Sequence, residues 1–397
     1  MKEVKKLNRF LVEANEMKET IISNRRYIHQ NAEVGFKLPK TIAYVSQKLK
    51  EIGYEPKALG GGLTCTVGTG SPVLLLRADM DALPQLEMSG ESFASETGAC
   101  HSCGHDGHTA MMLAAAEILK KHEEELEGTV KFMFQAAEET LKGSQAMIDE
   151  GILTEPDVDA AMAFHLNFGP CGDFDLHPGC LTYAEHKMMP SADEFQITVK
   201  GKSCHSSTAF LGVSAVSAAA HIIIALQELI QAEFPSDETV LLAIGQMISG
   251  STSNIIPDEA IIKGNFRAYT NESRDKLRER LTEISTLVAQ TFRATAEVEI
   301  LAGVAPNINH PAFAKEMAGY CEDVMNKVIV IPPVKGSEDF ANLCKHVPTF
   351  FANVCAGSPE DGYEYSMHHP KARIDERALP YGAAALCNCA YNWLKNH

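Results

Sequence analysis

The chain is short of cations, with 35 Lys and Arg against 52 Asp and Glu and a formal net charge of −17 over 397 residues. Nucleic acid and anionic membrane surfaces both select clustered Lys and Arg, so this deficit argues against either as a partner. An anionic substrate would need a locally placed cation. Also missing is any uninterrupted run of about 18 apolar residues, the length that crosses a bilayer. The opening MKEVKKLNRFLVEANEMKETI has the pattern of a charged amphipathic helix and lacks the apolar stretch of a secretory signal. Cysteine is not scarce, but the 11 are odd in number and irregularly spaced. They give no disulfide framework and point to reduced thiols in the cytoplasm. Repeats and low-complexity segments are absent as well.

Apolar residues make up 45% and charged residues 22%, a globular composition. The length implies two domains. Helical text at 16–31 and 40–52 precedes the strands TCTVG and PVLLLRAD, the second apolar enough to be buried on both faces. A helix follows over 106–121, then the strand GTVKFMFQA, a helix near 143–150 and the strand VDAAMAFHL. This alternation predicts an α/β domain with a mostly parallel sheet. Between about 188 and 302 the order becomes β-α-β-β-α-β, the split βαβ arrangement of a self-contained α+β unit. Strands VIVI and TFFANV and a terminal helix then resume the first pattern. The expected organisation is a discontinuous catalytic domain, 1–187 and 303–397, with an inserted lid or dimerisation domain, 188–302.

The densest chemistry lies at His101-Ser102-Cys103-Gly104-His105-Asp106-Gly107-His108. Imidazole and thiolate are ligands that borderline-soft divalent metals select. Cys103 and His105 are two apart, so an extended segment would send both to one face. The helical text begins at Asp106, where free N–H groups and the helix dipole favour a thiolate. A structural zinc knuckle is the competing reading, but such sites complete four ligands locally, and no second Cys-x-x-Cys or His-x-x-His lies nearby. The other ligands must come from afar.

In an open α/β sheet, functional groups collect beyond the carboxyl ends of the strands. Here RAD supplies Asp79 and then Asp81, FMFQAA runs into Glu138 and Glu139, MAF ends at His165, and TFFANV leads to His368-His369-Pro370. Taken singly, Glu138 and Glu139 read as a helix start, His165 as a core histidine, and Asp79 and Asp81 as turn acids. His29, His122, His177, His221 and His346 have no comparable context and read as surface or packing residues.

These pieces, with VKGKSCHSS, GSTSNIIPD, GNFR, GSEDFA and MHHP in order along nearly the whole chain, resemble the metal-dependent amidohydrolases of the aminoacylase, hippurate hydrolase and indole-acetyl-amino-acid hydrolase family. The resemblance implies two divalent ions, Zn²⁺ or Mn²⁺, held by Cys103, His105, Glu139, His165 and His368. It implies Glu138 as general base, Asp81 as a supporting acid, and His205, Asn254 and Arg267 as substrate contacts from the lid. His368 is preferred to His369 because the family places the histidine one small residue before the proline. The chain departs from the family at Ala136, where a proline is usual, at Ala163, where a glycine is usual, and after His205, where a proline is missing.

The implied reaction is hydrolysis of N-acyl or N-aroyl amino acids or small dipeptides. A metal-bridged water attacks, Glu138 moves the proton, His205 donates to the oxyanion and Arg267 grips the substrate carboxylate. The implied partners are a small carboxylate-bearing substrate and a second copy of the chain through the lid. Two other classes remain to be weighed: a Cys103–His nucleophilic hydrolase, which leaves the distant carboxylates unexplained, and a metal-dependent binding or scaffold protein, which has no need of Glu138.

Overall fold

The computed structural model describes residues 8–170 and 176–397; the first seven residues of the amphipathic N-terminal pattern lie outside the described residues. The chain divides into two compact units, one of 1–188, 308–333 and 339–397, the other of 189–307 and 334–338.

In the first unit, eight strands among the described residues form one sheet, in the order Lys57–Leu59, Gly62–Gly68, Thr129–Gln135, Val73–Asp79, Ala160–Asn167, Thr349–Cys355, Cys180–Tyr183, Lys327–Val330. The four central strands run parallel, and antiparallel pairs join them to the flanking strands on each side. All seven residues of Val73–Asp79 are buried, as its apolar run predicts. From Val73–Asp79 the chain steps to one side, through the helix His105–Lys121, into Thr129–Gln135. It then returns past its start, through Gly143–Asp149, to Ala160–Asn167. Strand order therefore reverses between Val73–Asp79 and Ala160–Asn167, the topological switch point where open α/β sheets leave a crevice at the carboxyl ends.

The helix His105–Lys121 carries Asp106 in its first turn and Lys120 and Lys121 in its last, each sign complementing the dipole. Its N-terminal turn lies hard against the strand Ala160–Asn167: a Cβ on Gly107 would come within 2.4 Å of Leu166 Cδ1.

The second unit is an antiparallel sheet, ordered Val240–Ser249, Glu259–Ala268, Ala192–Lys200, Thr295–Val304. Helices Ala215–Glu233 and Asn271–Thr291 pack on it through Ile222, Leu226, Leu277 and Leu281. The β-α-β-β-α-β order is the one the hydrophobic pattern predicts. Ala215–Glu233 is long and apolar enough by length and composition to cross a membrane. Ser217, His221, Gln227, Glu228 and Gln231 interrupt it, so it is no continuous apolar run, and six of its residues are buried in this unit.

Candidate active site

Four chain segments meet at the carboxyl ends of the central strands. The first is the turn before His105–Lys121. The expected extended segment is absent there; the chain turns at Ser102–Cys103, and Gly104, in the left-handed region at φ 94°, opens the helix. An L side chain rarely adopts that conformation. The turn brings Cys103 and His105 together with His165, with one donor atom from each within 4.8 Å of the others.

Cys103 Sγ stands 3.4 Å from His165 Nε2 and 3.3 Å from His368 Nε2. His368 is held at φ 65°, and its amide donates to Ser102 O at 2.9 Å. Glu139 Oε1 is 3.6 Å from His368 Nε2 and 3.9 Å from His105 Nε2. Two triads result, Cys103–His105–His165 and Cys103–Glu139–His368, sharing the thiol. His369 turns elsewhere: it stacks on Tyr365, and its Nδ1 accepts from the Lys371 amide.

The ring orientations follow from hydrogen bonds. His105 Nδ1–H donates to Asp81 O at 2.8 Å and His165 Nδ1–H to Leu166 O at 2.8 Å, so both rings leave Nε2 as the atom that can face a metal. His105 Nε2 and Glu139 Oε1 are buried with no hydrogen-bond partner. Buried polar atoms are rarely left this way, and a cation among thiol, imidazole and carboxylate donors satisfies both. The residues therefore fit a divalent metal.

Asp81 has no place in either triad. Its carboxylate accepts the amides of Glu138 at 2.9 Å and Glu139 at 3.2 Å, which fixes the turn opened by Ala137 at φ 59°. Glu138 Oε1 accepts the Asp339 amide at 3.4 Å, and Oε2 lies 3.9 Å from His105 Nε2.

Burial governs the protonation of the cluster. It pushes the Cys103 thiol up, against the helix-dipole expectation of a ready thiolate, because the desolvation outweighs the opposing pull of His105. Burial likewise raises Glu139 and takes His165 well below the ordinary imidazole range. His105 is also desolvated, but the Asp79 carboxylate outweighs that and holds it well above.

His205, Asn254 and Arg267 belong to the second unit. The short ribbon pairing Cys204–His205 with Ile255–Ile256 brings the first two together, and the Ser206 amide donates to Asn254 O at 3.0 Å. His205 is exposed, with Nδ1 2.7 Å from Ser207 Oγ. Arg267 Nη1 donates to Ser337 Oγ at 2.8 Å.

Several polar residues around the cluster carry no ligand signal in the sequence. Buried Arg77 donates to Gln135, to Asp79 at 2.6 Å and to Asp339 at 2.9 Å. His29, read from the sequence as surface or packing, is 3% exposed and bridges Asp106 at 2.8 Å and Glu87 at 2.9 Å. Arg25 pairs with the same Asp106 at 2.6 Å. The spacing of Arg25 and His29 on one helix face was the available clue. His101 is buried with both ring nitrogens unpartnered, and desolvation lowers it to about 3.

A thiol, three imidazoles and a carboxylate converging at the switch point of a mostly parallel sheet, beside a second carboxylate, define a metal-dependent hydrolase. The chain belongs to peptidase family M20/M25/M40, whose model matches residues 75–392, and it is a metal-dependent amidohydrolase. It is 33% identical over 392 residues to the Arabidopsis thaliana IAA-amino acid hydrolase ILR1-like 2, covering 96% of this chain and 86% of that protein. It is 31% identical over 373 residues to an N-acetyl-L-cysteine deacetylase of Bacillus subtilis, covering 93% and 86%. A solved dinuclear metal binding M20 peptidase from Bacillus subtilis superposes with a TM-score of 0.82 at 27% identity, covering 96% of this chain and all of that one.

Proposed function

We propose that the protein hydrolyses the amide bond of N-acyl or N-aroyl amino acids, or of small dipeptides with a free carboxylate. Two divalent ions, Zn²⁺ or Mn²⁺, are held by Cys103, His105, Glu139, His165 and His368. The observation that carries this reading is the shared thiol: two triads meet at Cys103, and His105 Nε2 and Glu139 Oε1 are buried there without partners. Bound ions supply a water of lowered pKa and polarise the carbonyl oxygen. Glu138 takes the water's proton on its carboxylate and returns it to the leaving nitrogen. Asp81 fixes both glutamates through their amides. His205 donates to the developing oxyanion, Arg267 offers its fork to the substrate carboxylate, and Asn254 adds a polar contact. The names of the two relatives describe an amino-acid conjugate and an N-acetyl amino acid as substrates, which supports this class.

The working form in this reading is a homodimer through the second unit. Val240–Ser249 is an edge strand of its sheet, with Leu241, Met247 and Ile248 exposed, and Ile224 on the neighbouring helix is 61% exposed. An open edge with apolar side chains favours pairing with another strand. No disulfide is formed among the cysteines of the described residues, which supports the cytoplasm as the compartment.

A direct test strips the protein with a chelator, reloads it with Zn²⁺ or Mn²⁺, and screens N-acetyl, N-benzoyl and aminobenzoyl amino acids by liquid chromatography. Metal should bind close to two per chain and restore turnover. Full metal loading with no turnover of any of these substrates would refute the assignment.

A further inference from the structure

His108 belongs to the Cys/His cluster, and its ring, His105 and Asp79 form another of the groups close enough to hold an ion. Its hydrogen bonds assign it other work. Nε2 accepts the Leu166 amide at 2.7 Å, and an N–H can only donate, so that nitrogen carries the lone pair. The proton therefore sits on Nδ1, which donates to Asp79 Oδ1 at 2.6 Å. Both nitrogens are committed. Arg77 in turn grips Asp79 through Oδ2.

The other polar group of Leu166, its carbonyl, accepts His165 Nδ1–H and so turns His165 Nε2 toward Cys103. The His108 and His165 rings meet at 4.5 Å between centroids. Gly107, next to His108, also approaches Leu166 closely: a Cβ there would meet Leu166 Cδ1 at 2.4 Å.

We propose that His108 is a positioning residue for metal binding: it clamps Leu166 between helix and strand so that His165 presents Nε2 to the metals, and Arg77 with Asp79 holds His108 in the tautomer this requires. The inference rests on His165 being a ligand, as proposed above. Outer-shell partners of ligating histidines fix ring orientation and tautomer in this way.

The test titrates metal-stripped protein with Co²⁺ alone, following the thiolate-to-cobalt charge-transfer band and the number of ions bound. His108→Phe keeps the ring and removes both hydrogen bonds; cobalt affinity at one site should fall roughly 10–100-fold. His108→Gln retains an acceptor for the Leu166 amide and should recover most of it. Met111→Ala, a cavity on the same buried helix face, serves as the structural control. It should lower the melting temperature without a comparable loss of cobalt affinity. If the two variants lose affinity in proportion to their loss of stability, His108 is merely structural and the proposal fails. Normal cobalt binding by H108F, with loss in His165→Ala, overturns the clamp alone; normal binding in both overturns the ligand assignment. A neutron structure of the wild-type protein needs no variant. Deuterium on Nδ1 of both His108 and His165 is expected, and deuterium on Nε2 of His108 refutes the clamp.

Discussion

Glu138 and Glu139 are neighbours in sequence with different surroundings. One oxygen of Glu138 meets the Asp339 amide, while Glu139 Oε1 is buried between His368 and His105 without a hydrogen bond. Glu138→Gln should therefore keep both metals and still bind substrate while losing roughly 10²–10⁴ in kcat, the usual worth of a positioned acid–base group. Glu139→Gln should instead lose metal, measured by plasma emission on dialysed protein. Exchanged phenotypes would mean that the roles are reversed.

Protonation gives a second expectation at this scale. Cys103 is held above its ordinary range by burial, and His105 is held well above its own, against its desolvation, by the Asp79 carboxylate. At neutral pH both carry protons that a metal must displace, so loading should release protons and apparent affinity should rise with pH. Calorimetry in buffers of different ionisation enthalpy reads this release directly, and loading without it would show that the thiol is already ionised. For Arg267→Ala, KM should rise for carboxylate-bearing substrates by the equivalent of about 1.5–3 kcal/mol, with metal content unchanged. Equal losses on an amidated substrate would rule out the carboxylate clamp. Residue types and strand ends made the Cys/His/Glu set legible in the sequence. The protonation of Cys103 was not, because it depends on burial by distant segments.

Helices and strands follow the hydrophobic periods closely, because the central strands are buried throughout and mostly apolar, and the main helices carry one apolar face. Contacts between elements were less legible. Nothing local announces that Arg77 on one strand, Gln135 on the next and Asp339 far along the chain share one buried network. Nor does the text of the cluster reveal the left-handed Gly104 turn, which replaces an extended segment yet still unites Cys103 and His105. The contact between helix and strand at Gly107 is testable alone. Gly107→Ala should destabilise the protein by about 1–3 kcal/mol through overpacking against Leu166. Denaturant melts of the metal-loaded protein measure this, and an unchanged midpoint would show that the helix relaxes freely.

At the scale of the molecule, the proposed dimer makes a clear demand. Wild-type protein should show twice the chain mass by light scattering, and a Leu241→Glu/Ile248→Glu double variant on the exposed edge strand should show the single mass. A wild-type monomer at assay concentration would remove the dimer from the reading. The change to the split βαβ pattern was visible in the sequence because strand alternation and helix length shift together. The short return of residues 334–338 to the second unit was not, since five residues carry no period.

The pairing of Ala160–Asn167 with Thr349–Cys355 spans the entire second unit in the chain. On a ribosome, the first strand emerges long before its parallel neighbour, while almost all of the second unit is contiguous and can form at once. The central sheet, and with it the approach of His368 to Cys103, must wait for segments that follow the whole of the second unit. Non-local parallel pairing is slow and leaves apolar edges exposed meanwhile. The half-built sheet, with Ala160–Asn167 unpaired on one side, is therefore the stage most exposed to misassembly. The proposed metal site can be assembled only once His368, 265 residues downstream of Cys103, has been made.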